Sequence, residues 1–145
     1  MSNSPLAIGS VPCPDDSLWW YRATYVRNYD GDTATVLVDL GFKHSFEMNI
    51  RLIGINAPEK QTTTLAAGMA AGAALEQLIR PASVAGLLRL KTYKDSPDKY
   101  GARWLGEFFV PVRQEVGKAL FDPKGAWTSV NGILLTMGHA VPYNP

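Results

Sequence analysis

Apolar and polar residues alternate with a period of two through the first third of the chain, and the period then changes to that of a helix. Aromatic and β-branched residues across 18–29 predict a strand. The stretch 33–40 predicts its neighbour, with Thr33, Thr35 and Leu37 alternating against Ala34, Val36 and Val38. The Asp30-Gly31 step between them is a hairpin signal. A third strand is predicted over 45–55, where Phe46, Met48, Ile50 and Leu52 share one face and Glu47, Asn49 and Arg51 the other. Pro58 breaks the chain. The alanine-dense stretch 64–80 then reads as a helix with Leu65, Met69, Leu75, Leu78 and Ile79 on its apolar side, ended by Pro81. Gly68 and Gly72 weaken that helix but suit a close approach to a sheet.

Strands four and five are predicted over 87–94 and 103–110, joined by a polar turn through Asp95, Pro97, Asp98 and Gly101. The stretch 111–127 reads as an irregular insertion with a short helix around 115–120. Val130, Ile133, Leu134 and Met137 recur at i, i+3, i+4 and i+7, with Ser129 or Thr128 as N-cap and Gly138 as the stop. Three strands, a helix, two strands and a terminal helix predict a mainly β, α+β fold. The expected form is a five-stranded barrel of the oligonucleotide-binding (OB) kind with two to three helices. Residues 1–17, rich in Ser, Pro and Asp, read as an arm before one domain over 18–145.

With 145 residues, 46% hydrophobic and 19% charged, the chain suffices for one folded core. A net charge of +1 provides no global field, so attraction to a polyanion has to be local. The richest local source lies between Arg80 and Arg103, where Arg89, Lys91, Lys94 and Lys99 join them against Asp95 and Asp98. That stretch is either a phosphate-tracking patch or a solvated mixed-charge face. The lone Cys13 has no internal disulfide partner, which suits a reducing compartment. No run reaches the roughly 18 apolar residues of a membrane span. The first residues lack the positive charge of a secretion signal, so either the protein acts inside the cell that makes it or a signal has been removed; a cytoplasmic location is expected. No residue implies a membrane or protein partner, and a monomer is expected.

The chemistry concentrates in two segments. Asp30 and Asp32 share a tight turn, and Arg51, Asn56 and Glu59 follow at and beyond the end of the third strand. Brought together, two acids, an amide oxygen and a guanidinium would hold a hard divalent cation against a phosphate and aim a water at its phosphorus. Four segments occur in order: DGDT at 30–33, RLIGINAPE at 51–59, DKYGARWLG at 98–106 and SVNGILLTMGHAVPY at 129–143. As an ordered set they resemble the staphylococcal (micrococcal) nuclease, or thermonuclease-like, family over about residues 20–143.

The resemblance implies a metal-dependent nuclease that cuts DNA and RNA with little sequence preference, leaving 5′-hydroxyl and 3′-phosphate ends. It implies Ca²⁺ as cofactor, held by Asp32, by the residue at Asn56 and by the Ala57 backbone carbonyl. Arg51 and Arg103 would grip the phosphate, Glu59 would be the general base, and Lys99, Tyr100 and Tyr143 would contact substrate. An unsigned small member of the family suits a phage- or plasmid-encoded enzyme.

Two residues depart from the family pattern. Asn56 stands where an aspartate is usual, which removes one negative charge and opens the site to Mg²⁺ or another divalent ion. Ala102 intervenes between Tyr100-Gly101 and the arginine. Leu105 and Gly106 keep the downstream register, so the extra residue is assigned to the turn and Arg103 to the clamp. The alternative reading is a barrel that binds nucleic acid without cutting it, and Asn56 is the feature favouring it. His44 and His139 sit in surface-like contexts, and Trp19, Trp20 and Trp104 are expected in the core or at a barrel edge.

Overall fold

A computed structural model describes residues 18–61, 63–97, 103–115, 118–121 and 126–143, with side chains outside 94–97 and 112–121. The strands are β1 (Trp20–Asn28), β2 (Thr33–Gly41), β3 (His44–Leu52), β4 (Ile55–Asn56), β5 (Arg89–Pro97), β6 (Trp104–Glu115), β7 (Lys118–Phe121), β8 (Trp127–Ser129) and β9 (Val141–Pro142). The helices are α1 (Leu65–Val84) and α2 (Val130–Thr136).

β1 pairs antiparallel with β2 on one side and β5 on the other, β2 pairs with β3, and β5 with β6. The ring closes where β3 meets β6 in parallel, from Ile50 opposite Trp104 to Leu52 opposite Gly106. This is a five-stranded closed barrel with two helices, an α+β fold in the OB arrangement. Its interior follows from the period-2 pattern: Ala34, Val36, Ile50, Leu90, Phe108 and Val110 are fully buried. Leu75 and Ile79 of α1 and Val130 and Leu134 of α2 complete the same cluster.

Several expectations are corrected. The helix does not stop at Pro81 but runs to Val84. A proline removes only one hydrogen bond, and the last turn is anchored by Ala82, fully buried, and by Ser83, whose hydroxyl oxygen accepts the Tyr25 N–H at 2.7 Å. The apolar side of α1 is also different, because Leu65 and Met69 are exposed while Gly68, Ala71 and Gly72 are buried. Small residues let this half of the helix lie against backbone: a Cβ on Gly68 would sit 2.9 Å from the Glu59 carbonyl oxygen.

Among the described residues the expected short helix near 115–120 is not formed. Instead β6 continues to Glu115 and folds back on β7, with Val112 opposite Phe121. A strand already in a sheet templates the next, whereas a helix of so few residues has no tertiary face to stabilise its nucleus. The third strand breaks after Leu52, since Gly54 adopts φ 80° and starts β4 in a new direction. Of the two places expected for Trp19, Trp20 and Trp104, it is the barrel edge that they occupy: all three are exposed, and Trp20 and Trp104 open β1 and β6. At α2 the Ser129 hydroxyl oxygen accepts the Gly132 N–H at 3.2 Å, and Gly138 ends the helix at φ 78°. Among the described residues no helix is long and apolar enough to cross a membrane.

Candidate functional site

The turn from β1 to β2 is fastened before its acids are placed. Asn28 Nδ2 donates to the Asp30 carbonyl at 3.0 Å and to the Gly72 carbonyl of α1 at 2.8 Å, while its Oδ1 accepts the Tyr25 hydroxyl at 2.6 Å. Asp30 Oδ1 accepts the Asp32 N–H at 3.0 Å, the local bond that makes aspartate a turn former. Burial pushes the Asp30 carboxyl above its ordinary value, and the neighbouring Asp32 carboxylate adds to the rise while the Asp32 N–H opposes it.

Asp32, almost fully buried, is the centre on which three other elements converge. Its Oδ2 accepts the Ala57 N–H at 2.8 Å and lies 3.5 Å from Arg51 Nη2. Its Oδ1 accepts the Thr33 hydroxyl at 3.3 Å, and Thr33 Oγ1 in turn accepts Arg103 Nη1 at 3.0 Å. Arg51 is fixed from a second side, with Nη1 donating to the Leu52 carbonyl at 2.7 Å and Nη2 to Asn56 Oδ1 at 3.2 Å. The Arg51 guanidinium also lies over the Tyr143 ring, 5.8 Å from its centroid. Tyr143 is held there by its N–H, which donates to the Gly54 carbonyl at 2.9 Å.

Two guanidiniums, one carboxylate, one amide oxygen and one aromatic ring therefore share a single neighbourhood. Arg51 is the last residue but one of β3 and Arg103 immediately precedes β6, so the parallel closure is what brings them together. A cavity of about 200 Å³ adjoins this cluster, between the turn 56–58 and the segment 138–141.

Glu59 is not drawn into the cluster. It lies on the exposed turn before α1, and its Oε2 accepts Gln61 Nε2 at 2.6 Å. Lys99, Tyr100 and Ala102 lie outside the described residues. His44 is exposed and His139 half-buried. Thr33, Asn28 and Asn131 were not singled out by their pattern, although each positions the site. The signal for Asn131 is a polar side chain three residues before Leu134 in the apolar row of α2. Nearly buried, its Nδ2 donates to the Ile53 carbonyl at 2.9 Å, beside the ring closure.

Among the described residues no group of three or more His, Cys, Asp or Glu side chains is placed to hold a metal ion. The expected donor set is different in kind: one carboxylate, one side-chain amide and one backbone carbonyl. Asp32 Oδ2 and Asn56 Oδ1 approach the same Arg51 nitrogen, so these two oxygens converge on one cationic point. Both oxygens are of the hard kind an ion of the Ca²⁺ type takes, but they supply two of its six to eight ligands and in this structure face the Arg51 guanidinium. An ion on those oxygens competes with Arg51 Nη2 for them. Comparison of the chain with known protein families and with curated proteins returns no match.

Proposed function

We propose that this protein is a metal-dependent nuclease of the staphylococcal nuclease kind, hydrolysing DNA and RNA with little sequence preference. The observation carrying this reading is the convergence of Arg51 and Arg103 on Asp32, directly for Arg51 and through the Thr33 hydroxyl for Arg103. Two planar guanidiniums from adjacent strand ends suit the oxygens of one phosphodiester, and each can donate two parallel hydrogen bonds. Neither reads a base edge, so the grip is indifferent to sequence.

A Ca²⁺-type ion on Asp32, Asn56 and the Ala57 carbonyl would supply charge neutralisation and polarise a phosphoryl oxygen. Arg51 and Arg103 hold the equatorial oxygens as negative charge grows on them. Glu59, which in this structure bonds Gln61 outside the cluster, would have to turn toward it to take a proton from the attacking water. The new P–O bond would form in line as the bond to the 5′-oxygen breaks, and that oxygen would leave with a proton from solvent water. The products are 5′-hydroxyl and 3′-phosphate ends. Tyr143 keeps the Arg51 side chain over its ring and offers the remaining face to the nucleotide.

A second reading, binding without cutting, is favoured by the Glu59 contact with Gln61 and by the amide at Asn56. Supercoiled plasmid incubated with Ca²⁺, with Mg²⁺ and with EDTA separates the two. The nuclease reading expects metal-dependent nicking that falls by about two to four orders of magnitude in Glu59→Gln. Arg51→Lys and Arg103→Lys keep charge but lose the fork, and they should slow nicking without unfolding the protein. Gel retardation with no nicking under either ion overturns the proposal.

A further inference from the structure

The outer face of β1, β5, β6 and β8 combines aromatic rings with cations in a way that neither the core nor the Asp32 cluster requires. Trp20 on β1 stands opposite Lys91 on β5, and its ring lies 4.8 Å from Phe109 on β6. Lys91 Nζ sits 5.3 Å from the Trp20 ring and 5.8 Å from that of Tyr93, and Arg89 lies over Trp127 of β8 at 5.1 Å. Trp20, Tyr93 and Trp127 keep 36%, 38% and 38% of their surface accessible. Large rings left open in this way offer stacking area, and the cations are already in the plane of the same face.

Charge selects the occupant. Arg22 and Arg89 are direct cross-strand partners, a like-charge pairing that costs stability without an anion nearby. Burial and the Arg22 charge both lower the pKa of Arg89. Lys91 is the third cation. The acids close by are Glu107, which stands opposite Lys91 and accepts the Ser129 hydroxyl, and Asp39, which is opposite Arg22 and accepts the Gly41 N–H. Against these two acids the three cations leave an excess of one positive charge. An anionic polymer with flat apolar rings matches it on both counts.

We propose that this face is a second nucleic-acid surface, which binds a single-stranded flank by stacking bases on Trp20, Tyr93 and Trp127 and by phosphate contacts from Arg22, Arg89 and Lys91. It uses other residues than the Asp32 cluster: its Lys91–Glu107 pair lies two positions along β6 from Leu105, the partner of Arg51, so the two surfaces are neighbours on the barrel. The surface would hold a strand whether or not the Asp32 cluster cuts, so its test does not depend on hydrolysis.

The test uses the full chain in EDTA with a fluorescent twelve-nucleotide oligothymidylate, and measures anisotropy over a series of salt concentrations together with tryptophan emission. Binding is expected to quench tryptophan emission. Each phosphate contact to a single strand contributes about 0.7 to the slope of log K against log salt, so Arg22→Gln with Lys91→Gln should reduce the slope by about 1.4. Trp127→Ala should weaken binding by about 5- to 100-fold. The charge variant lies outside the core and relieves the Arg22–Arg89 repulsion, so its unfolding midpoint should be no lower than that of the parent. An unchanged slope and unchanged affinity in both variants overturn the proposal. So does binding that is lost only with Arg51→Lys. It is also overturned if the two variants weaken attachment to anionic lipid vesicles and leave oligonucleotide binding intact.

Discussion

Gly31→Ala tests whether the acidic turn is held by shape. Gly31 is not one of the glycines with positive φ, which are Gly41, Gly54, Gly86 and Gly138, so it is needed for room and not for backbone freedom. A Cβ there would sit 2.6 Å from the Ala71 Cβ and 2.9 Å from the Ala57 Cβ. Carbon atoms rest at about 3.5–4.0 Å, so relief demands a displacement of about 1 Å. Both neighbours are Cβ atoms with no rotamer to yield, and the turn itself has to move. Overpacking of this kind costs about 1–3 kcal/mol, offset by up to about 1 kcal/mol from the stiffer unfolded chain.

The effect on rate should be larger. A displacement of about 1 Å at Asp32 relative to Arg51 is enough to lose about a hundredfold in turnover, equivalent to about 2.7 kcal/mol of barrier. Adding Ala71→Gly removes the closer contact and should restore part of the activity, even though a glycine inside a helix costs about 1 kcal/mol. Activity should rise in the double variant, while its stability gains from the relieved clash and loses about 1 kcal/mol to the helix glycine. Urea unfolding and plasmid nicking with Ca²⁺ measure the two. If Gly31→Ala matches the parent in both assays, or if the double variant cuts no better than the single, the steric account is wrong.

Three further outcomes follow from the same geometry. Asn131→Leu removes the donor that the nearly buried Asn131 offers to the half-buried Ile53 carbonyl and should cost about 1–3 kcal/mol in urea unfolding, so parental stability would refute the assigned role. Asn56→Asp adds a carboxylate beside Asp32 and should tighten Ca²⁺ binding in calorimetry, whereas an unchanged affinity would remove Asn56 from the ligand set. Asp30 holds its proton more tightly folded than unfolded, so its contribution to stability is full below the unfolded value and is lost as pH rises through the raised folded one. Asp30→Asn should therefore be more stable than the parent at neutral pH, with the difference shrinking on acidification; a constant difference would mean that the carboxyl is not destabilised by burial.

The barrel was legible because its strands bury one face. Ala34, Val36 and Val38 alternate against Thr35 and Leu37, and that period fixes which side faces the core. The placement of Arg51 opposite the row of Ile50 and Leu52 followed from the same rule. Less visible was whatever depends on close approach or on a partner strand. The exposed Leu65 and Met69 resembled a helix core because hydropathy does not record that Gly68 and Ala71 let the backbone come nearer. Arg103 is seventy residues from Thr33, and no local spacing announces that its guanidinium bonds that hydroxyl. Asn28 and Asn131 act through main-chain carbonyls distant in number, and a single chain carries no mark of those partners.

The parallel joint between β3 and β6 bears on the protein's birth as well as its shape. A ribosome delivers Asp32 and Arg51 long before Arg103, and the second guanidinium arrives only with the strand that completes the ring. An unfinished polypeptide thus carries half of the proposed phosphate grip. A cell making the proposed nuclease beside its own messages would be spared damage until the last stave is in place.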